Sequence, residues 1–179
     1  MSKKVQLINF IFSILLIFTS SLSASRSMHD IEVGFSPGKM AQWIILKAIQ
    51  EAKISIDIAA YSFTSLPIAL ALVDAKARGV NIRMITDKKS KKGKNITVTY
   101  LVNHCVPIKL NHKYAIMHNK FMIIDNHAVE TGSFNYTKSA ACCNAENVLY
   151  LRHRPDIADK YTREFNRLWT ESKDIQSKH

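Results

Sequence analysis

From Asp30 onward the chain keeps switching the period of its apolar residues, and this alternation restricts its fold more than any other feature. Side chains alternate across a strand and recur every third or fourth residue around a helix, so the two periods mark the two elements. Ile31–Phe35 reads as a short strand. Ser36-Pro37-Gly38 opens a helix running through Lys53, with Met40, Ile44, Ala48 and Ala52 on one face. Ser55–Tyr61 (SIDIAAY) reads as a buried strand. Pro67 stands where a first helical turn tolerates it, Leu66, Leu70, Val73 and Ala77 mark that helix's inner face, and Gly79 stops it. Asn81–Thr86 is the next strand and Ile96–Asn103 a short helix. Four further strands follow at Val106–Leu110, Lys120–Asp125, Ala128–Thr131 and Glu146–Arg152, the middle two joined across an Asn126-His127 turn. The tail from Asp156 to about Ser172 is helical, with Ile157, Tyr161, Phe165 and Leu168 on one stripe. A strand–helix–strand rhythm that ends in adjacent strands predicts an α/β layered domain, a mixed sheet flanked by helices on both faces.

The first residues do not fit this rhythm. Lys3 and Lys4 precede an apolar run from Ile8 to Phe18, and small polar residues follow from Thr19 to Ser25. A basic start, a short apolar segment and a small-residue exit predict a secretory signal peptide over residues 1–24. The run is shorter than the roughly 20 apolar residues a membrane-spanning helix needs. The expected mature chain is then one domain, residues 25–179, exported to the periplasm or secreted. The formal net charge is +11, and the leader removes only two lysines of that surplus. Such a balance favours polyanions, either nucleic acid or an anionic membrane surface. Cys105, Cys142 and Cys143 leave two readings open, a bridge from Cys105 to one of the adjacent pair or idle thiols. No cysteine–histidine pattern has zinc spacing, so the sequence gives no reason to expect a structural metal.

The chemistry is concentrated in His118-Asn119-Lys120-Phe121-Met122-Ile123-Ile124-Asp125, followed by Gly132-Ser133-Phe134-Asn135 and then Glu146. On a strand, His118 and Lys120 point the same way and would set an imidazole beside an ammonium at the sheet edge. Ser133 and Asn135, again two apart, add a hydroxyl and an amide. These groups suit a phosphodiester: Lys120 supplies charge, Ser133 and Asn135 supply directed donors, and a neutral imidazole at His118 can attack phosphorus.

The pattern HxK(x)4D followed by GSxN resembles the phospholipase D superfamily, and more narrowly its small bacterial endonucleases with one motif per chain. The resemblance extends to GFSP (Gly34–Pro37), AYSFT (Ala60–Thr64), ETGSFNYTK (Glu130–Lys138) and NAENV (Asn144–Val148). It implies a two-step displacement in which one His118 forms a phosphohistidine while a second protonates the leaving alkoxide and then activates water. Because this chain carries one copy of the motif, the resemblance implies a homodimer whose two-fold axis passes through a shared site. It also implies that Lys120, Ser133 and Asn135 bind phosphate, that Glu146 orients His118, and that Asp125 belongs to the motif in a catalytic or a structural hydrogen-bonding role. No cofactor and no metal enter this scheme, and the sequence has no cluster of acids around the motif for a two-metal site.

Other residues carry weaker signals. Lys88, Lys89, Lys91, Lys92 and Lys94 form a basic loop that either tracks a nucleic-acid backbone or stays a solvated surface. Tyr61 and Phe63 read as packing residues, and Trp43 and Trp169 as core. His112 and His127 are the nearest alternatives for a general acid within one chain. Three functional readings follow. The first is an endonuclease acting on DNA, with RNA as a second candidate. The second is a phospholipase D acting on phospholipid, and the third a basic nucleic-acid-binding protein without catalysis.

Overall fold

The computed structural model describes residues 30–90 and 95–175, and one mixed sheet of eight strands runs through them. In chain order the strands are β1 (Ile31–Ser36), β2 (Ser55–Ala60), β3 (Asn81–Asp87), β4 (Ile108–Asn111), β5 (Lys120–Ile124), β6 (Ala128–Gly132), β7 (Glu146–Leu151) and β8 (Lys173–Asp174). The helices are α1 (Met40–Glu51), α2 (Leu66–Ala77), α3 (Ile96–Asn103), α4 (Lys138–Cys142) and α5 (Pro155–Thr170). The sheet order is β1-β7-β6-β5-β2-β3-β4-β8. Strands β2, β3 and β4 are parallel because α2 and α3 carry the chain back between them. The remaining pairs are antiparallel. Asp125 and Asn126, both left-handed at φ 51 and 57, turn β5 into β6, a conformation short polar side chains tolerate best.

The sheet is covered on both faces, and strand alternation sorts the two cores. Ile56, Ile58, Met84, Met122, Val148 and Tyr150 pack with Ile44, Ile45 and Ile49 of α1, Ile68 and Leu72 of α2, and Val98 and Leu101 of α3. Ala59, Ile85, Phe121, Ile123 and Val129 face the other way, onto Ala158, Phe165 and Leu168 of α5. Each fully buried isoleucine or leucine contributes roughly 1.5–3 kcal/mol. Charged clamps fix the layers. Arg83 makes two bonds to Asp57 (2.8 and 2.7 Å) while its guanidinium lies 4.9 Å from the Phe165 ring, tying β2 and β3 to α5. Arg152, the residue after β7, joins Glu32 of β1 (2.5 Å) and Glu51 of α1 (2.9 Å).

The expected α/β architecture is therefore the observed one, with local corrections. The buried stripe of α2 is Ile68, Ala69, Leu72 and Ala75, whereas Leu66 and Leu70 are exposed. The segment LPIALALVDAKA is apolar on more than one side, so periodicity does not choose the inner face and packing does. Met40 and Trp43 also face solvent, Trp43 with Lys47 over its ring. Helix α4 and the two-residue β8 were not expected. All three cysteines are free and exposed, so Cys105 forms no bridge here. The leader assigned to residues 1–24 lies outside the described residues, as do Lys91, Lys92 and Lys94.

Candidate active site

The antiparallel pairing of β7, β6, β5 and β2 brings four strand ends to one edge of the sheet. There Ala60 stands opposite Lys120, Phe121 opposite Thr131, and Gly132 opposite Val148. At this edge a cavity of about 560 Å³ is lined by His118, Lys120, Ser133, Asn135 and Glu146, with Tyr161 of α5 on its wall. Five residues that span 29 positions of the chain thus meet in one place.

His118 precedes β5 and is exposed. Its segment is held on both sides: Met117 N–H donates to the buried Asp87 carboxylate (2.9 Å), and Tyr61 N–H donates to the Asn119 carbonyl (2.9 Å). The imidazole lies against the Tyr61 ring, centroids 4.5 Å apart. Lys120 Nζ donates to the His118 carbonyl (2.6 Å) and stands 5.3 Å from the Tyr61 centroid. Burial pushes the Lys120 ammonium below the ordinary lysine range, and the Glu146 charge partly opposes that shift. Thr131 Oγ1 donates to the Lys120 carbonyl (3.1 Å) and fixes the start of the strand.

The opposite wall is built just as tightly. Ser133 N–H donates to the Asn147 carbonyl (3.1 Å), Asn147 N–H donates to Ser133 Oγ (3.0 Å), and Ser133 Oγ donates to Glu146 (2.5 Å). A Cβ on Gly132 would fall 2.1 Å from the Asn147 carbonyl oxygen, so only glycine lets β6 approach β7 where Ser133 leaves the sheet. Asn135 Oδ1 is buried without a hydrogen-bond partner among the described residues. The Tyr136 carbonyl accepts from Thr64 N–H (2.8 Å) and Ser65 N–H (2.9 Å), and its hydroxyl donates to Glu130 (2.7 Å), which pins the loop carrying Ser133 and Asn135.

Several sequence assignments change. Asp125 lies at the far end of β5, where its carboxylate accepts from the N–H groups of Lys53, Ile54 and Ser55 (2.9, 2.7 and 2.8 Å). It ties the α1–β2 turn to the hairpin and does not meet His118, so its catalytic assignment gives way to a structural one. Asp125→Ala should cost about 2–4 kcal/mol of stability, while activity well below the melting temperature stays near wild type. A loss of turnover comparable to that of His118→Ala would sink this assignment. Glu146 lines the cavity, but its carboxylate is bonded by Ser133 and Asn144 rather than by His118. Lys88 is not a free cation in the basic loop, since its ammonium donates to the Tyr114 carbonyl (3.0 Å).

His127 sits beside Asp125 at the wrong edge, stacked on His153 (5.7 Å). His112 follows β4, three strands from β5 in the sheet order. Among the described residues His118 is thus the only histidine lining this cavity. Tyr61, read from sequence as packing, belongs to the site instead. Its neighbours at positions 118 and 120 gave no local signal.

Comparison with known proteins gives the family and the fold. Residues 45–169 match the family described as "Cardiolipin synthase, PLD-like domain". A protein named phospholipase D from Rickettsia prowazekii is 34% identical over 75% of this chain and 65% of its own length. The mitochondrial cardiolipin hydrolase of Xenopus tropicalis is 32% identical over 71% of the chain and 60% of its own length. The matched stretch thus spans about two thirds of these curated relatives. The crystal structure of Nuc from Salmonella typhimurium, a phospholipase D family member, superposes with a TM-score of 0.78 at 37% identity, covering 82% of this chain and 98% of that one.

Proposed function

This chain belongs to the phospholipase D-like family, a family of phosphodiester hydrolases, and we propose that it cleaves nucleic acid, DNA first and RNA second, without a metal ion. The observation that carries the proposal is the single cavity joining His118, Lys120, Ser133, Asn135 and Glu146. A phosphodiester placed there has its charge met by Lys120 and its oxygens by the Asn135 amide and by the Ser133 hydroxyl once it turns from Glu146. An imidazole nitrogen of His118 attacks phosphorus, and a phosphorus–nitrogen bond forms as the bond to the leaving oxygen breaks. The leaving alkoxide needs a proton, and no second histidine lines the cavity among the described residues. His118 of a second copy supplies it in a homodimer, then takes a proton from the water that breaks the phosphohistidine.

The donor set supports metal-free chemistry. The cavity holds one carboxylate, already bonded to Ser133 and Asn144, and one ammonium. The basic surplus of the chain supports a polyanionic substrate. With the leader expected at residues 1–24, the enzyme would work outside the cytoplasm. A second reading keeps the chemistry and changes the substrate to a phospholipid, releasing a headgroup. The names of the Rickettsia and Xenopus relatives favour it.

Purified protein offered plasmid DNA, RNA and phosphatidylcholine vesicles, with EDTA present throughout, separates the readings. The expected result is nicked plasmid and intact vesicles. Activity that disappears in EDTA and returns with a divalent ion defeats the metal-free mechanism. Headgroup release from vesicles with untouched plasmid transfers the protein to the lipid reading.

A further inference from the structure

A second cavity, about 640 Å³, lies beside the first, with Tyr61 in its lining. The Tyr61 ring packs on His118 and stands near Lys120, so this residue is shared between the reacting centre and the neighbouring space. Across the cavity are two aliphatic side chains that the core does not claim: Leu66, 52% exposed, and Ile96, 87% exposed. Exposed Lys89 is also part of the lining. Aliphatic side chains left open to water on two separate helices, with an aromatic ring and a cation beside them, form a slot for a flat, partly apolar group attached to an anion.

We propose that this cavity binds the nucleoside next to the scissile phosphate, its base against Tyr61 and between Leu66 and Ile96, with the following phosphate at Lys89. The proposal rests on the nucleic-acid reading of the active site. Its physical basis is continuity: a strand whose phosphate sits on Lys120 passes Tyr61 before it reaches Lys89. The volume suits a group of nucleoside size. The polar side chains of the lining bear on selectivity. Asn95 donates to the Phe63 carbonyl (2.8 Å) and accepts from Thr97 (2.8 Å), and Thr86 donates to Ser90 (3.0 Å). With these groups engaged inside the protein, a base edge is left the short hydroxyls of Ser62 and Thr64, which both donate and accept and so discriminate little. Recognition then comes from stacking and shape, which any base satisfies, so cleavage should show little base preference. A fatty acyl chain would call for a continuous apolar channel, and this lining alternates Leu66 and Ile96 with Ser62, Thr64 and Lys89.

The test uses two variants that leave the reacting groups alone. Leu66→Ala/Ile96→Ala removes the aliphatic wall, and Thr64→Trp fills the space from an exposed position. KM for a single-stranded oligonucleotide should rise about tenfold in each. The kcat for the small diester bis(p-nitrophenyl) phosphate, which reads the reacting groups and carries no second phosphate for Lys89, should stay at the wild-type level. Unchanged oligonucleotide KM in both variants overturns the proposal. So does an equal loss on the small diester, or a loss confined to binding of phosphatidylglycerol vesicles. Wild-type protein that cleaves the small diester but leaves the oligonucleotide intact overturns the nuclease reading itself, and this site with it.

Discussion

His118→Ala should hydrolyse any phosphodiester at least about 1,000-fold more slowly than wild type, with an unchanged circular dichroism spectrum. The size follows from the role: without an imidazole no phosphorus–nitrogen bond forms, and nothing else in the cavity can replace it. The unchanged fold follows from position. His118 is exposed, precedes β5, and its ring touches only Tyr61 among the described contacts. The backbone bonds that hold its segment come from Asp87 and Tyr61 and do not need the imidazole. The variant also tests the shared site. If two copies each contribute His118 to one centre, mixing equal amounts of wild type and variant under subunit exchange should give about half the activity that dilution alone gives, because only wild-type pairs keep both rings. Activity equal to simple dilution would place the general acid within one chain, and a fully active monomer by sedimentation would do the same.

What the sequence made legible is mostly local. The hairpin of β5 and β6 is readable because KFMII alternates onto two cores, although the turn expected at Asn126-His127 falls one residue earlier, on the left-handed Asp125 and Asn126. Helix α3 occupies the expected Ile96–Asn103, and the structure adds its cap, Asn95 accepting from Val98 N–H (3.2 Å). The site residues are readable as a pattern of types at fixed spacing, and the sheet pairing explains why the pattern spans three strand ends. What was hidden depends on partners remote in the chain. Asp125 is spent on backbone N–H groups about 70 residues upstream, which no local reading shows. Tyr61 reaches His118 only because β2 and β5 are neighbours in the sheet. The inner face of α2 was ambiguous because two stripes of that helix are apolar, and only the neighbours decide which is buried.

Glu130 gives the second large effect, and its sign follows from burial. The side chain is 1% exposed on β6, within the core that faces α1, and the Tyr136 hydroxyl is its one hydrogen-bond partner among the described residues. Tyr150 stands opposite it on β7, with its hydroxyl turned to Glu51 (3.1 Å), and Met122 stands opposite on β5. Burial pushes its carboxyl up to about 8 from the usual 4.5, against a smaller lowering by the Tyr136 bond. Between those two values the folded protein holds a proton that the unfolded chain releases, so stability must fall as pH rises through that window. The contribution is complete below the unfolded value and gone above the folded one, a difference on the order of a few kcal/mol. Glu130→Gln keeps an oxygen for Tyr136 and removes the titration. Between pH 6 and pH 9 the melting temperature of wild type should therefore fall roughly 10 °C further than that of Glu130→Gln. Using the difference between the two proteins cancels the histidines that titrate in the same range. Parallel melting curves across that range would mean that Glu130 does not enter the fold as a neutral acid. The loss would be felt first where function is built, since the Tyr136 hydroxyl it anchors holds the loop that presents Ser133 and Asn135 to the phosphate.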